Sequence, residues 1–113
     1  MTPEGRVKKL ISDYLRRVDG LWYNMPVPGG YGVSTLDYLG CYCGKFFAIE
    51  AKATPRQKPT DRQLATIEDI EHAGGKCFVI NNDGLSEFKA WIEEVKNASG
   101  NPGSETAIAQ DGR

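Results

Sequence analysis

The stretch Phe46-Phe47-Ala48-Ile49-Glu50-Ala51-Lys52-Ala53 restricts what this chain can become more than any other part of it. Its apolar opening reads as a buried β-strand, and its end carries two charges. Side chains alternate across a strand, so Glu50 and Lys52 share one face while Ile49 and Ala51 point to the other. An unpaired charge is costly to bury, so such a strand needs partners close by. Asp37 supplies a second acid, near the end of the strand-like run Thr35-Leu36-Asp37-Tyr38-Leu39. A hairpin of the two strands would set Asp37 and Glu50 side by side, with Lys52 next to them. Hard oxygen donors of this kind suit magnesium or manganese. Phosphodiester hydrolysis needs such a cation, a poised water and relief of charge in the transition state. The same residues also satisfy a cross-strand structural salt bridge, and spacing alone leaves both readings open.

The rest of the chain fits elements around that strand. Thr2-Pro3-Glu4 reads as a helix start, with Thr2 as N-cap and Pro3 in the first helical position. Val7, Leu10, Ile11, Tyr14, Leu15 and Val18 then recur as one apolar stripe, and Asp19-Gly20 ends the helix. Leu21 to Val27 reads as a short strand edged by Pro26 and Pro28. The glycine-rich run Pro28-Gly29-Gly30-Tyr31-Gly32 precedes a strand and not a helix, which does not suit a phosphate cradle. Thr35 to Cys43 and Lys45 to Ala53 are expected as a hairpin turning at Gly44. Thr54 to Pro59 is a polar, basic loop. Thr60 opens a second helix with Leu64, Ile67, Ile70 and Ala73 as its inner face and Gly74-Gly75 as its stop. Lys76 to Asn81 reads as a strand, and Leu85, Phe88, Ile92 and Val95 mark a last amphipathic helix. Residues 98–113 turn to Ser, Gly, Asn, Pro and Gln and are expected as a disordered polar tail, which leaves 1–97 as one domain. Helix, three strands, helix, strand, helix implies an α/β fold, a small mixed β-sheet flanked by helices.

Composition narrows the class without choosing the function. At 113 residues the chain is of single-domain size. No apolar run approaches the ~20 residues of a membrane helix, and the polar, helix-like start shows no secretory signal. A net charge of −1 does not advertise a nucleic-acid binder; the distribution says more. Arg6, Lys8, Lys9, Arg16 and Arg17 crowd the first helix, and Lys52, Arg56, Lys58 and Arg62 the centre. Glu68, Asp69, Glu71, Glu87, Glu93 and Glu94 fall on outer helix faces. This pattern is compatible with DNA binding and with ordinary surface charge. Cys41, Cys43, Cys77 and His72 lack the paired spacing of a structural zinc site, and reduced thiols agree with a cytoplasmic setting.

A family resemblance joins these observations. The run Gly32-Val33-Ser34-Thr35-Leu36-Asp37, then Gly44-Lys45-Phe46-Phe47-Ala48-Ile49-Glu50-Ala51-Lys52, then Lys58-Pro59-Thr60 and Gln63, resembles the PD-(D/E)xK nuclease superfamily. More narrowly it is similar to the virus-type replication-repair nuclease (VRR-NUC) family, over residues from Glu4 to about Asn81. Leu36 stands where that family usually has a proline. The resemblance implies a restriction-endonuclease-like core, dependence on Mg2+ or Mn2+, and cleavage of branched DNA by a homodimeric Holliday-junction resolvase. A monomeric flap or nicking nuclease, or a non-catalytic DNA-binding module of the same fold, are the alternatives. The setting would be the cytoplasm, that of the host if the source is viral. Carried over residue by residue, Asp37, Glu50 and the Ala51 carbonyl are implied as metal ligands and Lys52 as the catalytic lysine. Glu4 corresponds to an acid of the first helix that reaches the metal directly or through water, although it also suits the helix dipole there. Gln63 matches a glutamine near the scissile phosphate or water, although Thr60-x-x-Gln63 is also a capping box. Arg6, Lys8, Lys9, Arg16, Arg17, Arg56 and Lys58 are the candidate phosphate contacts.

Overall fold

Each of the first two helices starts where a side chain can satisfy its free N–H groups. Helix α1 (Pro3–Arg17) is capped by Thr2, whose hydroxyl accepts from the Gly5 N–H at 3.0 Å. Helix α2 (Asp61–His72) opens on a complete capping box made by Thr60 and Gln63. Helix α3 (Ser86–Ala98) follows Leu85 and runs one residue into the segment expected as tail. The computed structural model describes residues 1–27 and 35–100. The glycine-rich run Pro28–Gly32 and residues 101–113 of the expected tail lie outside the described residues.

The strands are β1 (Leu21–Asn24), β2 (Tyr38–Tyr42), β3 (Lys45–Ala51) and β4 (Lys76–Ile80), in sheet order β1-β2-β3-β4. β1, β2 and β3 pair antiparallel; β3 and β4, joined through α2, pair parallel. The fold is thus α/β, three helices and a mixed four-stranded sheet. The hairpin between β2 and β3 turns on Cys43 and Gly44, with φ of 49° and 79°. Two successive positive φ values let a two-residue loop follow the twist of its strands. Gly44 adopts this freely; Cys43 does so against the usual preference of a side chain.

The strands are shorter than the sequence suggests. β1 stops at Asn24 and not Val27, because its pairing with β2 ends at Asn24 opposite Leu39 and Pro26 has no N–H to offer. β2 begins at Tyr38 and not Thr35, so Asp37 lies just outside the sheet. β3 ends at Ala51, and the Lys52 N–H then donates to the Ile80 carbonyl at 2.8 Å.

Strand alternation divides the sheet into two unlike faces. Tyr38, Tyr42, Phe47, Ile49, Ala51, Phe78 and Ile80 form the core with Val7, Ile11 and Leu15 of α1 and Phe88, Ile92 and Val95 of α3. Phe88 sits at its centre, with ring centroids 5.0 Å from Phe78 and 5.1 Å from Phe47. The Phe47 ring lies over Gly40, its cross-strand partner, so closely that any side chain there would collide with it. Leu10, expected in the α1 stripe, is half exposed. At 100° per residue it stands well round the helix from the line of Val7, Ile11 and Leu15.

The opposite face is covered by α2, and incompletely. None of Leu64, Ile67, Ile70 or Ala73 is fully buried, and Leu64 is 49% exposed. The expected inner face is therefore a contact line and not a core. Among the described residues no helix is long and apolar enough to cross a membrane.

Candidate active site

Strand parity in β3 fixes where the charges go. Ile49 and Ala51 enter the core, which leaves Glu50 on the α2 face, buried at 4% exposure. Tyr38 pairs with Ile49, and the residue before Tyr38 is Asp37. Continuing that register sets Asp37 against Glu50 at the end of the sheet. Asp37 is held there by its own bond: Oδ2 accepts from the Ala51 N–H at 2.8 Å. In an extended strand the N–H and C=O of one residue leave on the same side. The Ala51 carbonyl therefore faces the Asp37 side as well.

Glu50 has three neighbours of different kinds. Lys52, next but one on the strand, places Nζ 3.5 Å from Glu50 Oε2. The Gln63 side-chain nitrogen donates to the same oxygen at 2.7 Å. Asp37 is the third, and it repels. Burial first, and then the charge of Asp37, raises the Glu50 carboxyl to a pKa of about 7, against the opposing pull of Lys52.

Gln63 joins the site to the start of α2. Its Oε1 accepts from Lys52 Nζ at 2.9 Å and from the Thr60 N–H at 2.9 Å. The Thr60 hydroxyl accepts from the Gln63 N–H at 3.2 Å. An oxygen that faces two donors leaves the amide nitrogen for the acid, so the orientation of Gln63 follows from its partners. The sequence offered capping and site chemistry as alternatives for this residue. The structure has both at once.

The first helix arrives from the other side of the sheet. The buried Tyr38 hydroxyl donates to the Lys8 carbonyl at 2.9 Å and lies 2.9 Å from Ser12 Oγ, which ties this turn of α1 to the residue beside Asp37. Lys8 Nζ lies 3.4 Å from Glu4 Oε2 and 3.6 Å from Asp37 Oδ1. Burial lowers the Lys8 pKa, but Asp37 and then Glu4 outweigh it, and the net direction is upward. Glu4 thus meets Asp37 through Lys8. Among the described residues no three acid, histidine or cysteine side chains gather as one metal-binding group.

The other basic candidates are dispersed. Arg6 is exposed on the first turns of α1, and Arg56 and Lys58 are exposed in the loop after β3. Lys9 pairs with Asp13 at 3.0 Å and Arg16 pairs with the same acid. Arg16 and Arg17 stand two turns beyond Lys8, roughly 12 Å along the axis by helical rise. They do not join the site as one patch. Lys8 is the residue whose place the sequence did not reveal, since its signal, an i,i+4 pairing with Glu4, reads as an ordinary helix-surface contact.

The donor set tests well against a hard divalent cation. Two carboxylates held together against their repulsion, one of them buried, with a main-chain carbonyl on the same side, are oxygen ligands of the kind magnesium and manganese take. Glu50 Oε2 is occupied by Lys52 and Gln63, which leaves Oε1 for such an ion. No family model, curated protein or solved structure matches the chain.

Proposed function

We propose that this protein is a divalent-metal-dependent endonuclease that hydrolyses phosphodiester bonds in branched DNA, as a Holliday-junction resolvase does. The observation that carries the reading is the buried Glu50, set against Asp37 and bridged to Lys52 by Gln63. A bland sheet would bury none of these groups, and burying them together favours a cation. The substrate class comes from the resemblance to the VRR-NUC family, and a restriction-endonuclease-like core belongs to the same proposal.

In this reading Asp37, Glu50 and the Ala51 carbonyl hold Mg2+ or Mn2+, which when bound polarises the phosphate and activates water. The protein's own groups do the positioning. Lys52 is 13% exposed and fixed by Gln63, so its ammonium meets the phosphate without first being ordered. Gln63 bonds both members of the Glu50–Lys52 ion pair and so orients them, while its own backbone is anchored by Thr60. Arg56 and Lys58, exposed just beyond the strand end, and Arg6 on α1 are the phosphate contacts that hold the backbone. Paired cuts in a symmetric junction require two active sites, which makes a second copy of the chain the expected partner.

The test is to incubate the protein with labelled four-way junction, flap, duplex and single-stranded DNA, with and without magnesium. The expected result is magnesium-dependent cleavage, strongest on the junction. Asp37→Asn and Glu50→Gln should each abolish it while leaving the circular dichroism spectrum unchanged. Near wild-type cleavage by either variant would move the site elsewhere.

A further inference from the structure

Lys8 stands where a cation is wanted. Asp37 accepts the Ala51 N–H on Oδ2, so Oδ1 is the oxygen freer of hydrogen bonds to meet a cation, and that is the oxygen Lys8 faces. Glu4, the other carboxylate credited with a role at the metal, is the second acid on the same ammonium. The position is built, since the buried Tyr38 hydroxyl holds the Lys8 carbonyl and α1 is packed through Val7 and Ile11 on either side. That bond fixes the backbone of the turn, and the ammonium itself is held between Glu4 and Asp37.

We propose that Lys8 is an internal counter-ion of the site, which a divalent cation must displace from Asp37. The proposal rests on the nuclease reading and adds a positioning residue to it. Two positive charges cannot share Asp37 Oδ1 without repelling each other across a few ångströms. Lys8 therefore weakens cation binding while it keeps Asp37 and Glu4 oriented before the cation arrives. Once displaced from Asp37, its ammonium keeps Glu4 as a partner beside the site, and a phosphate oxygen is the group it would meet next. The residue so links two bindings, the cation first and the DNA backbone after it.

The experiment is a calorimetric titration of the full chain with Mn2+ in low-salt buffer, without DNA. Lys8→Gln should bind Mn2+ about tenfold more tightly than the wild type, the order expected from removing one unit charge close to the ion in a high-dielectric setting. Lys8→Arg keeps the charge and should restore the wild-type affinity to within about twofold. Lys89→Gln makes the same change in net charge on α3 and should leave affinity unchanged. Wild-type protein that binds Mn2+, with Lys8→Gln binding no more tightly, would overturn this proposal and leave the nuclease reading standing. An equal gain from Lys89→Gln would overturn it too, since bulk charge would then explain the effect. Absence of Mn2+ binding in both the wild type and Lys8→Gln would overturn this proposal together with the metal site beneath it.

Discussion

The two faces of the sheet are made by the same four strands and differ in almost every physical respect. One face, sealed by α1 and α3, is largely apolar and close-packed around Phe47, Phe78 and Phe88. The other lies under α2, keeps Trp22 63% and Phe46 41% exposed, and ends in a buried acid and a lysine. Neighbouring residues of one strand serve the two faces in turn: Ile49 is sealed in the core, and Glu50 is sealed in a polar network. Burial alone therefore does not mark a core position. What separates them is the partner each one finds, other hydrophobic side chains for Ile49 and hydrogen-bonding side chains for Glu50. The apolar core is concentrated on the first face, and the candidate site lies on the second, where α2 covers the sheet incompletely.

Substitutions on each face should break different things. The largest effect is expected from Phe47→Ala, which removes the ring that packs on Phe88 and overlies Gly40. The loss should be about 3–5 kcal/mol of stability, read by chemical denaturation. A mild loss would mean that the α1–α3 face is not the principal source of stability.

Lys52→Ala should do the reverse. We expect turnover to fall by about 10²–10³, the order for losing one preorganised electrostatic group, with little change in DNA affinity. Its melting temperature in chelator should move little, because Glu50 can take up a proton when its cation is removed. A variant that melts much earlier yet still cuts DNA would make Lys52 a structural ion-pair partner.

Glu50 gives a pH signature that an apolar position cannot. Its folded-state pKa of about 7 lies above the ordinary 4.5, so the folded protein holds that proton more tightly than the unfolded chain does. Its contribution to stability is present in full below about 4.5 and is lost as pH rises through about 7. In chelator, Glu50→Gln should abolish this decline and exceed wild-type stability above pH 7, by up to about 3 kcal/mol. Melting curves from pH 4 to 8 decide it; parallel profiles for the two proteins would place Glu50 in a better-solvated setting.

The smallest effect is expected on the outer helix. Leu64→Gln should change stability by less than about 0.5 kcal/mol, because the side chain is half exposed already. A cost near that of Phe47→Ala would mean that α2 packs far more deeply than the contrast between the faces allows.

Much of this was legible in the chain. The Thr2 cap, the Thr60–Gln63 box, the Gly44 turn and the split of Glu50 and Lys52 from Ile49 and Ala51 all follow from near neighbours and from the periods of helix and strand. Those are local rules, and a sequence states them directly. The partial burial of Leu64, Ile67 and Ile70 was not legible, since an apolar stripe shows that a helix has a preferred face but not how deeply that face is covered.

Long-range partners were decided by the tertiary structure alone. Only the packing of α2 on the sheet gives Gln63, already set in its local box with Thr60, its two distant partners, Lys52 and Glu50. Only the docking of α1, through its core residues and the Tyr38 bond, brings Lys8 to Asp37, across 29 positions of sequence. Both side chains are long and flexible, with several partners equally open to them in the unfolded chain. Which partners they meet depends on the angle and depth at which whole elements dock, and that is set by the sum of the core contacts and not by any residue near them in sequence.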